Sequence, residues 1–437
     1  MNLFEFTLKL NGFPIKEAKR ELKKILTISE NDFQKVIFKK RQEIVDFHLK
    51  NNTFYQSFVG KKAITKWEDL PILKKIDLQI PLQQRLSKGF PKKKCYVSKT
   101  SGSSGQPLIF AKDKFCHAMT WAEIMNRFEW INIDFNRSLQ ARFYGIPLDF
   151  KNYYKEKLKD FLSHRIRFSI FDLSDQKLEE FLIVFKNKPF YFINGHTSSI
   201  VLFAKFLKRK NITLTEVCPT LKYCVVTSEM LYETDKKLLQ NVFNVPIINE
   251  YGASEIDLIA FTNQQDEFIV NSETLFVEIL DENNTPVPNG TPGRLVITSL
   301  YNKAHPLIRY DIGDLGILSP NSTFKKPILQ QLIGRSNDPV QLPSGKTVPG
   351  HTFYYVTKSV VEDDGNVKEF VIEQHAVNGF KIVYVAEKTL TETEKIKIEK
   401  ALATYLEQNL NLEYEKVTTL TRNKSGKLKQ FISKLKS

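Results

Sequence analysis

Thr100-Ser101-Gly102-Ser103-Ser104-Gly105-Gln106-Pro107 places four hydroxyl side chains and two glycines within eight residues. It lies between Cys95-Tyr96-Val97 and Leu108-Ile109-Phe110, a pattern that predicts a short loop joining two strands. Glycine lets a backbone turn its N–H groups inward and come close to a ligand, and the hydroxyls add rotatable donors around the same point. An oxyanion such as phosphate is the ligand that uses such a set. No Lys-Ser or Lys-Thr pair follows the second glycine, so the loop is not a P-loop of the NTPase kind. Taken alone it reads equally well as a flexible Gly/Ser linker. The rest of the chain has to decide.

The 437 residues are enough for two or three domains. Hydrophobic residues at 42% and charged residues at 26% describe a globular chain rather than a disordered one. No apolar run approaches the roughly 18–20 residues that span a bilayer. The first nine residues carry an early acid and no small-residue cleavage site, so no secretory signal is expected. Four cysteines without a Cys-x-x-Cys pair suit a reduced, cytoplasmic protein with no zinc site. The net charge of +15 comes from lysines spread along the chain, with small clusters at Lys92-Lys93-Lys94, Lys208-Arg209-Lys210 and Lys427-Leu428-Lys429. No basic run is interleaved with aromatics as a base-stacking platform would be, so nucleic acid is not an expected partner. A solvated basic surface, or attraction for polyphosphates, accounts for the charge.

Residues 1 to about 90 have helical spacing, as in Phe33, Val36, Ile37 and Ile44, Val45, Leu49. Trp67 to Asp77 reads as a turn with Pro71 near a helix start. From Cys95 the pattern alternates. β-rich runs are expected at 141–146, 189–193, 221–227 and 245–248, and helices at 115–130, 174–187, 198–210 and 230–243. Such alternation predicts an α/β sheet that is at least partly parallel, with ligands beyond the carboxyl ends of its strands. After about 268 strands dominate, at 275–280 and 293–298. A boundary is expected near Gly334-Arg335-Ser336-Asn337-Asp338, followed by a small α+β unit. That unit has strands at 369–373 and 380–385 and a helix from Thr391 to about Asn409, opened by a Thr391/Glu394 capping box.

Three further motifs carry chemistry. In Asn249-Glu250-Tyr251-Gly252-Ala253-Ser254-Glu255, an exposed Tyr at a strand end can stack on a base, and the carboxylate four residues on can hold Mg²⁺ against phosphate oxygens. Its bland reading is an ordinary turn. Leu307-Ile308-Arg309-Tyr310-Asp311-Ile312-Gly313-Asp314 places two aspartates in a Gly-containing turn, able to accept from ribose hydroxyls or simply to close a hairpin. Thr421-Arg422-Asn423-Lys424-Ser425-Gly426-Lys427 offers a lysine in a Gly-Ser turn, or a frayed basic tail.

Taken together and in this order, the motifs resemble those of the adenylate-forming enzymes: acyl-CoA synthetases, luciferases and nonribosomal peptide adenylation domains. The resemblance is strongest to the phenylacetate-CoA ligase branch and its capsular-polysaccharide-associated relatives. It rests on the Thr-Ser-Gly-Ser-Ser-Gly-x-Pro loop, Tyr-Gly-x-x-Glu, Arg-Tyr-Asp-x-Gly-Asp, Gly-Arg-x-x-Asp, the late Ser-Gly-Lys and Leu70-Pro71-x-Leu73-x-Lys75-x-Asp77. It covers about residues 50 to 437. It implies a large N-terminal domain over 1–334, binding ATP and acid behind a helical leader (about 1–90), and a small mobile C-terminal α+β domain over 335–437.

On these positions the resemblance implies that Thr100, Ser101, Gly102, Ser103, Ser104 and Gly105 hold the β- and γ-phosphates of ATP. Tyr251, with Gly252, would stack on adenine, and Ser228-Glu229 would line its pocket, although the glycine usual there is absent. Glu255 would bind Mg²⁺, Asp314 the ribose, and Arg335 the ribose or phosphate. Lys427 would reach the carboxylate and the α-phosphate. Asn337 would be the hinge, where other members often carry Asp or Lys. Gly345-Lys346-x-Val348-Pro349 would face the incoming thiol. Tyr144, Gly145, His196 and Ala253 are the acyl-pocket candidates; His196, ahead of a helix capped by Thr197 or Ser198, is equally well a packed core histidine.

The implied activity is conversion of a carboxylic acid, aryl or arylacetic by branch, to acyl-AMP and then to a coenzyme A thioester. A carrier-protein thiol or an amine in surface-polysaccharide or secondary-metabolite biosynthesis is the alternative acceptor. A catalytically inactive nucleotide-binding scaffold is the rival from another class. Residues 1–45 have no firm match, and a dimer contact or a cap is the use open to them.

Overall fold

The structure, a computed structural model, describes residues 3–61, 63–100, 108–145, 150–335, 339–345, 347–349, 367–421 and 431–435. Its described residues form a mixed α/β protein whose chain divides into two compact units, residues 1–312 with 316–332, and residues 313–315 with 333–437.

The first unit opens with helices at Leu3–Leu10, Ile15–Leu26, Glu30–Asn51 and Thr53–Val59. The Ser29 hydroxyl caps the third by accepting from the Asp32 N–H, and the Asn52 side chain caps the fourth from Tyr55 N–H. Beyond them the predicted helix near Pro71 is replaced by short 3₁₀ turns at Trp67–Asp69 and Lys75–Leu78. In both, an aspartate three residues on (Asp69, Asp77) accepts from the backbone N–H at the start, which favours tight turns over a long helix. β1 (Cys95–Lys99) and β2 (Ile109–Asp113) form the antiparallel hairpin expected around the Gly/Ser loop.

The central sheet contains β3 (Gln140–Phe143), β4 (Arg165–Phe168), β5 (Phe192–His196), β6 (Tyr223–Thr227), β7 (Ile247–Ala253), β8 (Asp257–Thr262) and β9 (Phe268–Val270). Their order is β4-β3-β5-β6-β7-β8-β9; β3 to β7 run parallel, and β8 and β9 add antiparallel. Side-chain alternation divides the core. Ile193, Cys224, Val226 and Ile247 face the helices Asp175–Asn187, Thr197–Arg209 and Glu233–Phe243. Phe192, Val225 and Ile248 face the other way, onto Phe128 of helix Lys114–Glu129. Both faces are covered, as a largely parallel sheet requires. A second sheet follows, β10 (Leu275–Leu280), β11 (Gly293–Ser299), β12 (Tyr310–Leu318) and β13 (Leu329–Arg335), in that order.

Every element expected from residue 114 to 248 is present, with bounds shifted by a few residues. The strand expected at 189–193 starts three residues later, at Phe192. Helix Phe150–Leu162, edge strand β4, the short helix Leu214–Val217 and strand β8 went unpredicted. The stretch 307–316, read as a Gly-containing turn, is mostly the nine-residue strand β12, because Tyr310 onward pairs within the sheet.

In the second unit β14 (Pro339–Gln341) pairs with β15 (Thr347–Pro349). β16 (Val367–Ala376), β17 (Gly379–Ala386), β18 (Asn411–Val417) and β19 (Phe431–Ser433) make a sheet in the order β18-β17-β16-β19. Helix Glu392–Tyr405 opens on the expected capping box, Thr391 accepting from Glu394 N–H while the Glu394 carboxylate accepts from Thr391 N–H at 2.6 Å. Ile398 and Leu402 join Phe370, Ile372, Phe380 and Ile382 in this unit's own core.

Candidate functional site

The parallel strands end along one line. Phe143 pairs with Gly195, His196 with Thr227, and Thr227 with Glu250. The next residues, Tyr144, Ser228 and Tyr251, therefore share the carboxyl edge of the sheet, the edge at which α/β proteins bind ligands. The register explains one small residue: a Cβ on Gly195 would stand 2.4 Å from the Phe143 carbonyl oxygen.

Tyr144 lies between two neighbours, its ring centroid 4.9 Å from His196 and 3.9 Å from the Arg142 guanidinium carbon. Enclosure raises the Tyr144 phenol above its ordinary range; Arg142 works against this, Glu250 with it, and a Ser228 hydrogen bond against it. Burial likewise raises the Glu250 carboxyl, against the Thr227 hydroxyl and Arg142. Ser228 has φ +72°, the left-handed region in which glycine is at ease and a side chain costs about 1 kcal/mol or more. The glycine that the resemblance implies is missing here, yet the backbone keeps the conformation that favours one.

His196 is itself the cap residue of helix Thr197–Arg209, which corrects the expectation of Thr197 or Ser198. The Glu229 carboxylate accepts from Ser198 N–H at 2.7 Å, so an acid rather than a hydroxyl serves this helix start.

The segment 249–255 is the end of β7 running into a tight turn at 254–256, after which β8 returns antiparallel. The turn explains Gly252, since a Cβ there would stand 2.5 Å from the Asp257 carbonyl oxygen. Tyr251 was expected to be exposed. It is instead 9% exposed and joins the core with Leu73, Leu108 and Tyr310. Ala253 is half-buried beside this cluster. Glu255, at the turn, is 7% exposed, and its Oε1 accepts from the Tyr310 hydroxyl at 3.0 Å.

Tyr310 is placed by the Leu70-Pro71-x-Leu73 segment. Leu73 N–H donates to Arg309 O (3.0 Å), Asp311 N–H donates to Leu73 O (2.8 Å), and the Arg309 guanidinium donates to Leu70 O (2.8 Å) and Glu68 O (3.1 Å). Two motifs far apart in sequence thus form one parallel bridge, with Arg309 wholly buried as a clamp. Asp311 accepts from Arg294 at 2.6 Å.

The hairpin strand β2 supplies a residue that sequence reading missed. The buried Lys112 ammonium pairs with the Asp257 carboxylate and donates to Ser254 O at 3.2 Å, while the Thr120 hydroxyl donates to the same carboxylate at 2.6 Å. Asp257 sits at φ +71°. Lys112 thus ties the strand after the Gly/Ser loop to the turn that presents Glu255. Its only sequence signal is a cation directly after the apolar run Ile109-Phe110-Ala111.

At the loop itself, Thr100 N–H donates to Leu108 O at 2.9 Å and Leu108 N–H to the Thr100 hydroxyl at 2.9 Å, which closes the hairpin. Ser101, Gly102, Ser103, Ser104 and Gly105 lie outside the described residues, as do Asn337, Lys346 and Lys427. Asp314 is 9% exposed within β12, and Arg335 is the last residue of β13. Gly345 and Val348 belong to the turn and second strand of the β14–β15 hairpin.

Among the described residues no group of three or more His, Cys, Asp or Glu side chains suits a metal ion. The lone buried Glu255 carboxylate, with one oxygen taken by Tyr310, fits Mg²⁺ instead. That ion commonly takes one or two protein carboxylates and draws its other ligands from water and substrate phosphates. No described helix is long and apolar enough to cross a membrane.

No family model matches the chain. Protein CapK of Staphylococcus aureus is 22% identical over 426 residues, 93% of this chain and 90% of that protein. The phenylacetate-coenzyme A ligase of Thermus thermophilus is 31% identical over 121 residues, 26% of this chain and 27% of that enzyme. Among solved structures, 2-hydroxyisobutyryl-CoA ligase in its postadenylation state, in complex with R3-HIB-AMP, superposes with TM-score 0.71 at 16% identity, covering 93% of this chain and 90% of that one. Anthranilate CoA ligase AuaEII in complex with anthranoyl-AMP gives TM-score 0.53 at 14% identity, covering 76% and 65%. The fold, with its large N-terminal and smaller C-terminal parts, is that of the adenylate-forming ligases. The chain thus has the fold of the adenylate-forming ligases, and by sequence it is similar to CapK along nearly its whole length and to phenylacetate-CoA ligases over about a quarter of it.

Proposed function

We propose that this chain is an AMP-forming acid–thiol ligase, which converts a carboxylic acid and ATP to acyl-AMP and pyrophosphate, then transfers the acyl group to the thiol of coenzyme A. The observation that carries this reading is the convergence on Glu255. The turn bearing it is tied by Lys112 to the hairpin of the Gly/Ser loop, and its carboxylate is held by Tyr310 of Arg309-Tyr310-Asp311. The strand that follows the Gly/Ser loop and the Arg-Tyr-Asp motif thereby meet at the turn of Tyr-Gly-x-x-Glu.

In the first half-reaction a carboxylate oxygen bonds to the α-phosphorus and the bond to the bridging oxygen of pyrophosphate breaks. Negative charge spreads over three phosphates. The N–H groups of the 100–107 loop and the Lys427 ammonium are the donors positioned for it in our reading, with Glu255 holding Mg²⁺. Bound there, Mg²⁺ supplies positive charge against phosphate oxygens. In the second, the thiolate sulfur attacks the acyl carbon and AMP leaves. Nucleophilic side chains are not required. Asp314 and Arg335 serve the ribose and phosphates, Tyr251 and Ser228-Glu229 the adenine, and residues 335–437 move about Asn337 between the half-reactions. An aryl or arylacetic acid is the favoured substrate, supported by the local likeness to phenylacetate-CoA ligases.

Similarity to CapK along nearly the whole chain favours a second reading, with a carrier-protein thiol or an amine as acceptor in surface-polysaccharide biosynthesis. The presence of Glu255 and Lys427 argues against an inactive scaffold. The deciding experiment is pyrophosphate release with Mg-ATP across aryl, arylacetic, fatty and hydroxy acids, with and without coenzyme A. Release confined to one acid class and yielding an acyl-CoA supports the first reading. Release without a CoA product supports the second. Silence across the panel while ATP still binds overturns both.

A further inference from the structure

Helix Phe150–Leu162, which leads into edge strand β4, is turned inside out. Its acids face the protein: Asp160 is 4% exposed and bonded to Arg165 (2.5 Å) and Arg167 (2.8 Å), and Glu156 accepts from Arg167 at 2.9 Å. Three of its apolar residues face solvent. Tyr154, Leu158 and Phe161 are 57%, 59% and 78% exposed. At spacings of four and three they form one stripe along the helix. Lys155 and Lys159 flank it on one side and Lys157 on the other, all exposed. The same sheet edge carries Phe171, 43% exposed, whose ring lies against Gly145.

A helix of a water-soluble protein ordinarily buries its apolar stripe and exposes its charges. Here the ion pairs fix the helix in the opposite rotation, so the exposed stripe is a surface for something else. Its charge narrows the occupant. The exposed charged side chains beside the stripe are lysines; Asp160 is spent on Arg165 and Arg167, and Glu156 is shared between Arg167 and Lys159 (2.5 Å), so Lys155 and Lys157 carry the charge argument. A second copy docked by a two-fold axis would set lysine against lysine. An apolar stripe of Tyr, Leu and Phe between lysines matches a helix lying in the interface of an anionic bilayer, aromatic and aliphatic groups among the acyl chains and ammonium groups at the phosphates.

We propose that helix Phe150–Leu162 docks this protein onto an anionic membrane surface. The surface adjoins the strand end that carries Tyr144, since Arg167 donates to Gly145 O at 2.7 Å.

The test is co-sedimentation of the full chain with vesicles of phosphatidylglycerol and phosphatidylcholine, against phosphatidylcholine alone. Binding is expected to need the anionic lipid and to weaken with salt. Phe161→Asp should lower it about tenfold or more, and Phe161→Leu should restore most of it. Lys155→Glu and Lys157→Glu should each cost about fivefold or more. Because these side chains are exposed, far-UV circular dichroism of the variants should match the parent. Absence of binding to the anionic vesicles overturns the proposal. So does a dimer in analytical ultracentrifugation that Phe161→Asp dissociates, or capture of an acidic carrier protein by this face in place of vesicles.

Discussion

Lys112→Met tests the tie between the loop hairpin and the Glu255 turn. The lysine side chain is 2% exposed and its partner Asp257 is 22% exposed. The substitution removes one charge-assisted hydrogen bond and the donor to Ser254 O, together about 2.5–4 kcal/mol. Water can reach Asp257, and Thr120 still donates to it, so the observed loss should fall to about 2–3 kcal/mol, below the 3–5 of a wholly buried pair. Asp257→Asn should cost more, because it strands the deeper charge. The assay is urea unfolding followed by tryptophan fluorescence, since Trp67, Trp121 and Trp130 all lie in the first unit. The double variant should recover at least about 1 kcal/mol relative to the sum of the singles. A coupling below about 0.5 kcal/mol, or Asp257→Asn proving the milder change, refutes the reasoning. Pyrophosphate release separates two roles: a stability loss without a slower first half-reaction would mean that Lys112 holds the fold and does not position Glu255.

Tyr310→Phe removes one hydrogen bond from the Glu255 carboxylate. The Mg²⁺ concentration for half-maximal pyrophosphate release should change by about tenfold, as one charge-assisted bond implies; an unchanged Mg²⁺ curve would remove Tyr310 from the site. Lys427→Ala should slow adenylation by about 10²–10³-fold, the size of one transition-state donor, while thioester formation from preformed acyl-AMP survives; equal loss of both steps would mark the lysine as structural. His48 and His117 are pushed down to about 4 by burial, against an Asn302 carbonyl bond for His48 and the Asp257 charge for His117. The neutral rings therefore stabilise the fold fully above about pH 6.5, and that stability is lost as pH falls through about 4, so the urea midpoint should drop across this window. His117→Phe, which keeps an aromatic ring against Tyr96, should flatten the slope, and an identical slope would remove His117 as a cause.

Much of the fold was legible because local chemistry and tertiary packing agree. Helix Lys114–Glu129, helix Asp175–Asn187 and strand β6 follow apolar periods that the two faces of the sheet then bury. The helix Phe150–Leu162 escaped notice for the opposite reason. Tyr154, Leu158 and Phe161 point to solvent and its acids inward, so its pattern contradicts its burial, and only the arginines of β4 decide which way it turns. Tyr251 is a similar case. A tyrosine before a glycine at a strand end looks exposed, and only its packing with Leu73, Leu108 and Tyr310 encloses it.

The sequence by itself determined the α/β alternation, the hairpin around the Gly/Ser loop and the order of motifs that marks the adenylate-forming relatives, because each depends on spacing within a short window. The tertiary structure alone decided how those motifs meet. Lys112 reaches the Glu255 turn across 142 residues to Ser254, and Arg309 reaches Leu70 across 239. Contacts of that range come from the register of strands and the burial of single charges, and no local pattern encodes them.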